Sequence, residues 1–472
     1  MIDDVTAPSA SARSVDAALA APAPVPFGTA LRFWLKLGCI SFGGPAGQIA
    51  LMHRELVERR RWISEQRFLH ALNYCMLLPG PEAQQLATYL GWLMHRTWGG
   101  IAAGALFVLP SLFLLIGLSW LYAAHGQQPV VAGLFYGIKP AVAALVLHAV
   151  YRMAGKTLGN MRHRQIPWVI AAMSFVAIQG WNVAFPWLVL TAALVGWAGA
   201  RWAPGQFGAT GGHGALPRAD SAHAPALIDD HTPTPPHARY APRRLAQVLL
   251  CGVLLWLAGM AVLLLAFGWD GTATRMGRFF TQAALLTFGG AYAVLPYVVQ
   301  GAVVQYGWLS SAQMMDGLAL GETTPGPLIM VVAFVGFMGG WTLPMFGPDS
   351  ALASAVLGAC VATAFTFLPS FVFILAGGPL VEATHGKLGF TAPLAAISAA
   401  LVGAITSLAL LFVRHIAVPA HGVGTAGSGI DAVALLLAAL AAVALIRYGQ
   451  GVIRVITACA VAGLVARLAG WA

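Results

Sequence analysis

Charged residues are scarce in this sequence of 472 amino acids. Only 9% of the residues are Asp, Glu, Lys or Arg, and 59% are hydrophobic, whereas about a quarter of a typical soluble domain is charged. So few charges cannot cover a surface that faces water. The composition therefore excludes an ordinary soluble enzyme or binding domain and indicates a membrane protein.

Cysteine is also sparse, and the common catalytic motifs are missing. The five cysteines lie in or beside apolar stretches, and no pair has the spacing of a metal site. The sequence contains no phosphate-binding loop that ends in GK[ST], no HExxH motif and no catalytic-triad spacing. We therefore predict a protein that is not an enzyme and that has no cofactor and no metal.

The formal net charge of +10 could indicate nucleic acid. In a membrane protein, however, basic residues hold loops in the cytoplasm, and no nucleic-acid motif is present. We therefore predict a lipid bilayer as the surroundings and no nucleic-acid partner. Residues 1–26 are rich in Ala, Pro and Ser and lack the apolar core of a signal peptide, so we expect a disordered tail.

Long apolar runs fill most of the chain. A helix needs about 20 apolar residues to cross a bilayer, and most of the runs reach that length, although 167–179 and 432–446 are shorter. The sequence therefore predicts an all-α polytopic membrane protein. The runs are 33–52, 68–93, 100–122, 130–151, 167–179, 183–200, 245–268, 279–305, 314–339, 351–376, 391–413, 432–446 and 452–470.

Residues 203–242 interrupt this pattern with Gly, Pro, Ala and His. We expect a disordered cytoplasmic linker. The chain then divides into the tail (1–26), a first repeat (27–202), the linker, and a part (243–472) that holds an extra span and a second repeat. The loose spacing of the linker histidines gives little support for a metal site; they are His213, His223, His231 and His237.

The segments on either side of the linker resemble each other. FGG, a tryptophan, a serine and PGP recur at a constant offset of 246 residues, and LPS recurs at an offset of 259, so an insertion lies between. Four matches in one register indicate an internal duplication. The matched pairs are FGG at 42–44 and 288–290, Trp62 and Trp308, Ser64 and Ser310, Pro79-Gly80-Pro81 and Pro325-Gly326-Pro327, and LPS at 109–111 and 368–370.

Equivalent loops of the two copies differ in charge. Residues 53–67 contain five arginines, whereas residues 299–313 contain no charged residue. By the positive-inside rule, the first loop is cytoplasmic and the second is free to lie outside. We therefore predict two repeats of inverted topology, with broken or re-entrant helices that meet at the midplane of the bilayer.

FGG and PGP predict the positions of these breaks. Proline removes a backbone donor and clashes with the preceding helical turn. A break creates a half-helix N-terminus, whose free N–H groups and partial positive charge suit an anion. A simple kink is the alternative, but four breaks in register favour a binding site. The predicted substrate-binding residues are Gly43, Gly44, Pro79, Gly80, Pro81, Gly289, Gly290, Pro325, Gly326 and Pro327.

Polar side chains flank the breaks. Arg32 and Lys36 lie four residues apart before the first FGG, so they share a helix face. They could attract a dianion, or they could instead extend to the membrane interface. The side chains that could donate hydrogen bonds to an oxyanion are Gln48, Gln84, Thr323 and Thr324.

Glu82 and Glu322 are the carboxyl groups that the pattern places within the membrane. Loss of hydration favours the neutral form of a carboxyl group. Each could therefore bind and release a proton and couple the anion to the proton gradient, unless a nearby arginine neutralises it. Lys139 also lies in an apolar run and either faces the pathway or extends to the interface.

These motifs are similar to those of a known family. Residues 42–92, which contain FGGPAGQ and PGPEAQQ, resemble the first-half signature of the chromate ion transporter family, and residues 279–300 and 317–337 resemble its second-half signature. The match covers both halves, as in the long-chain, two-domain type. The resemblance implies export of chromate from the bacterial cytoplasm across the inner membrane, driven by the electrochemical gradient, and chromate resistance.

Other functions stay open. Sulfate is a related tetrahedral dianion and an alternative substrate, and a passive anion channel would move either ion without protons. A membrane-embedded chromate reductase would need a redox cofactor, for which the sequence has no flavin, haem or iron–sulfur signature. The sequence also leaves open whether the protein is an antiporter, how many helices cross fully, and whether it forms a homodimer.

Overall fold

The computed structural model describes residues 23–202, 225–230, 232–233, 235–384, 391–418 and 430–470. Over these residues the chain forms sixteen α-helices. Five helices are long and apolar enough to cross a membrane, which confirms the predicted all-α polytopic membrane protein. They are Glu82–His125, Pro129–Thr157, Pro242–Phe267, Ala351–Leu380 and Ala392–Ala417.

The first repeat begins with helices that stop at FGG and PGP. Its first helix has 14 residues and is about 21 Å long, too short to cross a hydrocarbon core of about 30 Å. The chain is therefore broken at both motifs. The helices are α1 (Phe27–Ile40), α2 (Gly44–His53), which continues as a π-helical turn (Arg54–Arg59), α3 (Glu65–Leu77) and α4 (Glu82–His125).

Four helices lead from these breaks to the second repeat. They are α5 (Pro129–Thr157), α6 (Gln165–Trp181), α7 (Phe185–Trp202) and α8 (Pro242–Phe267). Helix α8 has 26 residues and corresponds to the extra span that the sequence predicts between the two copies.

The second repeat has the same breaks as the first. Helix α9 (Thr272–Leu286) ends before FGG, and α10 (Ala291–Val299) follows it and continues as a π-helical turn (Gln300–Gln305). Helix α11 (Ser311–Thr323) ends before PGP, and α12 (Val331–Thr342) follows it after one 3-10 turn. The last helices are α13 (Ala351–Thr384), α14 (Thr391–Ala417), α15 (Ala432–Ile446) and α16 (Val452–Leu468).

The first two helices of each repeat form a hairpin. Phe33 of α1 contacts Trp62, with ring centroids 4.9 Å apart. Phe279 of α9 contacts Trp308, with ring centroids 5.4 Å apart. Each tryptophan follows the second helix of its pair, so the chain returns to the level of the first helix. Both contacts join residues at the 246-residue offset, which supports the predicted duplication.

The hairpins also end in the same local structure. Arg54–Arg59 and Gln300–Gln305 are π-helical. The tryptophan after each turn donates its N–H to the carbonyl group six residues earlier, at 2.7 Å in the first copy and 2.8 Å in the second. Ser64 and Ser310 then cap the next helix with their hydroxyl groups. The two loops therefore keep one conformation although their charges differ.

Helix α4 consists of two arms. The backbone of Arg96 has a φ of 58°, which is not helical, and the chain reverses there. A Cβ atom on Gly91 would lie 2.5 Å from the carbonyl oxygen of Gly99, so the arms are in close contact. The arm 82–94 is thus a short helix beside the long arm 97–125.

Part of the predicted linker packs against the first repeat. Ile228 pairs with Ile63 in an isolated parallel bridge, and Ser64 Oγ donates to Asp230 Oδ1 at 2.5 Å. Ile228 and Ala238 are buried in the core of the first repeat. The described part of the linker is therefore ordered, which differs from the expected disorder, because its apolar residues fit between the helices of the first repeat.

The end of the linker is held by His237. Its ring contacts the ring of Trp92 with centroids 5.6 Å apart, and its Nε2 lies 3.0 Å from the carbonyl oxygen of Trp92. Burial lowers the pKa of His237, so the ring is mainly neutral at pH 7. The predictions for residues 1–22 of the tail and for His213, His223 and His231 lie outside the described residues.

Candidate functional site

Two backbone hydrogen bonds join the four breaks. The N–H of Gly80 donates to the carbonyl oxygen of Thr287 at 2.7 Å, and the N–H of Gly326 donates to the carbonyl oxygen of Ser41 at 2.8 Å. Ser41 and Thr287 directly precede the two FGG motifs. The PGP of each repeat is thus bonded to the FGG break of the other repeat, and the four breaks meet in two pairs. The first junction is the pair formed by FGG at 42–44 and PGP at 325–327, and the second junction is the pair formed by PGP at 79–81 and FGG at 288–290.

The prolines shape these breaks. Leu78 and Thr324 precede the first proline of each PGP and are extended, with ψ of 149° and 147°, as expected for a residue before proline. This ends α3 and α11. Pro81 and Pro327 are also extended and precede the next helix. Pro79 and Pro325 therefore stop one half-helix, and Pro81 and Pro327 start another.

Glycine is required at both junctions. The φ angles of Gly80 and Gly326 are +128° and +114°, which only glycine adopts readily. A Cβ atom on Gly80 would lie 2.4 Å from Ser370 Oγ, and one on Gly326 would lie 2.6 Å from Ser111 Cβ. Ser111 and Ser370 belong to the two LPS motifs, so the LPS of each repeat covers the PGP of the other.

The FGG turns border open space. Gly43, Gly44, Gly289 and Gly290 all have positive φ angles, between 67° and 103°. Among the described residues, a Cβ atom on Gly44 would have no neighbour within 4 Å. Helices α2 and α10 begin at these turns, and their first N–H groups have no partner within the helix. An anion could therefore approach both helix N-termini.

The first junction is lined by neutral polar groups. Gln48 is buried, and its Nε2 donates to the carbonyl oxygen of Ser41 at 3.3 Å and also to that of Gly326. Ser111 Oγ is buried without a hydrogen-bond partner in the described structure. A buried hydroxyl group without a partner is costly, so this position offers a donor to a small polar ligand.

Charged groups lie at the second junction. Glu82 is the first residue of α4, and its Oε1 would lie 3.9 Å from a Cβ atom on Gly290. The positive charge of Lys156, near the end of α5, acts on the Glu82 carboxyl group. The second FGG turn therefore has an acidic group and a basic group beside it.

A second carboxyl group adjoins this turn. Glu322 is 8% exposed and accepts a hydrogen bond from the hydroxyl group of Tyr292, two residues after the second FGG. The positive charge of Arg152 acts on both Glu322 and Tyr292. An anion placed beside these carboxyl groups would be repelled less by their neutral form than by their ionised form.

Comparison with known proteins places this chain in a family. The model of the chromate transporter family matches residues 29–197 and 274–464. The chain belongs to this chromate transporter family. It is therefore a multi-pass membrane transporter, and the family supports chromate as its substrate. No solved structure matches the chain.

Relatives match either most of the chain or about a third of it. The chain is 33% identical over 410 residues to the chromate transport protein of Pseudomonas aeruginosa, and 29% identical over 409 residues to that of Cupriavidus metallidurans, with 86% of each chain covered in both cases. It is 28% identical over 161 residues to the uncharacterized transporter YwrA of Bacillus subtilis, which covers 33% of this chain and 88% of YwrA.

Sequence reasoning missed several residues of this candidate site. Arg152 and Lys156 follow an apolar run and look like ordinary loop bases, but α5 continues to Thr157 and carries them to the second junction. Tyr292 lies in an apolar segment without a motif. The LPS motif could have indicated Ser111 and Ser370, since it recurs in both copies and its serine directly follows a proline.

Arg32 and Lys36 are not brought to the junctions. Both lie on the exposed face of α1, whereas Phe33, Trp34 and Leu37 form its buried face. Arg32 borders a shallow apolar groove between α1 and α4. Their positions fit the alternative in which long basic side chains extend toward the membrane interface.

Three other predicted donors bond within their own helices. The hydroxyl group of Thr323 donates to the carbonyl oxygen of Ala319 at 3.0 Å, and that of Thr324 donates to Gly321 at 3.1 Å. Gln84 donates from its Nε2 to Thr88 Oγ1 at 3.0 Å. In this conformation these groups stabilise the ends of the half-helices.

Proposed function

We propose that this protein is a secondary active transporter that exports chromate across the bacterial inner membrane. In this proposal the proton-motive force drives export, which confers chromate resistance. The main support is the second junction of broken helices, at which Glu82 and Glu322 lie beside one FGG turn. Broken helices with carboxyl groups near the midplane are the usual site of substrate and ion coupling in such transporters.

The anion site in this proposal lies between the two FGG turns. The first N–H groups of α2 and α10 and the hydroxyl groups of Ser111 and Ser370 are the donors. Both hydroxyl groups are buried without a partner among the described residues. Hydrogen bonds from neutral donors can hold a dianion away from water without a fixed opposite charge.

Coupling arises from the carboxyl groups at the second junction. An ionised Glu82 or Glu322 repels chromate, and a protonated one does not. Proton binding and chromate binding therefore influence each other. Arg152 and Lys156 offset part of the negative charge while both chromate and a carboxylate are present.

The inverted arrangement of the two repeats remains part of this proposal. It is supported by the reciprocal hydrogen bonds between FGG and PGP and by the arginine-rich loop that only the first copy carries. Inverted repeats give one site two equivalent routes of access, one from each side of the membrane.

The function can be tested with radiolabelled chromate in inside-out membrane vesicles. We expect the protein to increase uptake when respiration makes the vesicle interior positive and acidic, and a protonophore to remove that increase. Excess unlabelled chromate should compete more strongly than excess sulfate. Uptake that ignores the proton gradient would instead indicate a passive channel, and stronger competition by sulfate would indicate a sulfate transporter.

Replacing Ser111 by Ala separates ligand binding from stability. The hydroxyl group has no partner among the described residues, so its loss should not lower the thermal stability of the detergent-purified protein. A hydrogen bond to a charged ligand contributes about 1.5–3 kcal/mol, so we expect the apparent KM for chromate to rise at least about tenfold. Ser119→Ala is the matched control, because Ser119 is also buried and unpartnered in the described structure but lies two helical turns from the junction.

A further inference from the structure

Two clusters of charged residues join the repeats away from the junctions. The first surrounds Asp316 of α11, which is 3% exposed. Tyr122 of α4 donates its hydroxyl group to Asp316 Oδ2 at 2.8 Å, and Lys139 Nζ of α5 lies 3.9 Å from the same oxygen. The other carboxylate oxygen, Oδ1, is buried without a partner within the described part of the chain. This cluster ties a helix of the second repeat to two helices of the first.

The second cluster surrounds Glu382 near the end of α13. Arg67 Nη1 of α3 lies 3.4 Å from Glu382 Oε2, and the hydroxyl group of Tyr89 donates to Glu382 Oε1 at 2.5 Å. Arg67 also donates from its Nη2 to the carbonyl oxygen of Thr232 in the linker at 2.5 Å. This cluster likewise ties the second repeat to the first.

The clusters occupy equivalent places in the two copies. Helices α3 and α11 are matched at the 246-residue offset, and Arg67 and Asp316 lie in the first turns of each. Tyr122 and Glu382 lie near the ends of the helices that carry LPS, eleven and twelve residues beyond its serine. Each cluster therefore joins the beginning of the helix that follows the hairpin in one repeat to the C-terminal end of the helix that carries LPS in the other repeat. These pairs of helices are α3 with α13 and α11 with α4.

The clusters lie on opposite sides of the junctions. Ser111 covers the first junction, and Tyr122 lies about 16 Å farther along the same arm of α4. A Cβ atom on Gly104 would lie 2.2 Å from Thr88 Oγ1. Tyr89 is the residue after Thr88, so it lies beside the part of this arm that precedes Ser111, whereas Tyr122 lies on the part that follows Ser111. The Glu382 cluster also adjoins the arginine-rich loop, which places it on the cytoplasmic side.

We propose that these two ion pairs are the gates of the transport route, with Arg67–Glu382 closing the cytoplasmic side and Lys139–Asp316 closing the outer side. The proposal rests on the transport function above. Access from one side requires the two repeats to separate at that end, and each ion pair spans the contact that must open. The linker strengthens the cytoplasmic gate, because Thr232 holds Arg67 in place.

The two gates differ in strength. Glu382 has a partner for each carboxylate oxygen, and both side chains of its ion pair are nearly buried. The Lys139 side chain is 29% exposed, and one oxygen of Asp316 has no partner in the described residues. The outer gate is therefore the weaker of the two in this conformation and should open more readily.

Cysteine labelling tests the gates without chromate. The reporter is Ser111→Cys in a variant whose five native cysteines are replaced by Ala, and the probe is a membrane-impermeant maleimide. In right-side-out vesicles, Asp316→Asn should raise the labelling rate about tenfold or more, since breaking a buried ion pair is strongly destabilising. In inside-out vesicles, Glu382→Gln should do the same. Each variant should leave labelling from the opposite side unchanged.

Milder variants and a control keep the test decisive. Tyr122→Phe and Tyr89→Phe remove one hydrogen bond from each gate but keep the ring, and they should give smaller shifts on the same sides. Asp270→Asn breaks an exposed ion pair with Arg275 and should change neither rate. Unchanged labelling, or equal increases from both sides, in folded gate variants would overturn the proposal.

The labelling and transport experiments fail independently. If wild-type vesicles show no proton-driven chromate uptake but the labelling rates shift as described, the gates stand and the proposed function falls. If uptake is proton-driven and the labelling rates do not shift, the function stands and the gates fall.

Discussion

Replacing Glu322 by Gln is expected to abolish proton-driven chromate uptake into inside-out vesicles. Glutamine has nearly the shape of glutamic acid, and its side-chain oxygen can still accept a hydrogen bond from the hydroxyl group of Tyr292. It cannot release a proton, so the site stays in its neutral form. Uptake driven by the proton-motive force should therefore fall to the level of vesicles that lack the protein, while exchange of chromate for chromate should persist.

The control for this variant is Glu58→Gln. Glu58 lies in the arginine-rich loop with its side chain 57% exposed, where it contacts His53, and the variant should transport like the wild type. Glu82→Gln should behave like Glu322→Gln, because both carboxyl groups adjoin the second FGG turn. Gradient-dependent uptake at the wild-type rate in Glu322→Gln would remove Glu322 from the coupling, and a passive channel would then be the better description.

The breaks in the helices could be predicted because their cause is local. Proline and glycine act on the residues next to them, and two copies in one register showed which occurrences matter. Leu78 and Thr324 have nearly the same backbone angles, although one precedes PGPE and the other precedes PGPL. The repeat in the sequence thus corresponds to a repeat in the backbone.

The charges around the breaks could not be predicted in the same way. Arg152 and Glu322 are far apart in the sequence, and no pattern joins them. Spacing places Arg32 and Lys36 on one face of a helix, but it does not say whether that face meets protein or lipid. Here the large side chains of α1 decide the question, because they occupy its buried face.

Average composition also concealed the order of the linker. Its Gly, Pro and Ala content is that of a disordered segment, yet three apolar residues in it, Ala226, Ile228 and Ala238, are buried. A few well-placed apolar contacts can hold a short segment whose composition is otherwise polar. Composition likewise could not identify the partner of Lys139. Its contact with Asp316 could be found only from the packing of α11 against α4 and α5.

Gly44→Leu and Gly290→Leu are expected to abolish chromate transport while the protein remains in the membrane. The φ angles of these residues are +67° and +103°, so a leucine costs about 1–2 kcal/mol at each position, and its side chain would cover the N-terminus of α2 or α10. No atom of the described residues lies within 4 Å of a Cβ atom on Gly44, so the fold should accommodate the change there. Transport and the amount of protein in the membrane should both be measured.

Gly117→Leu is the matched control for this pair. Gly117 is exposed on the long arm of α4 and lies in a regular helix, and a Cβ atom added to it would also have no neighbour within 4 Å in the part of the chain that the structure describes. The same substitution there adds the same apolar volume without changing a break, so transport should be retained. If Gly44→Leu also retains wild-type uptake, the exposed N–H groups of α2 do not hold chromate, and the anion must instead bind at the charged second junction near Arg152 and Lys156.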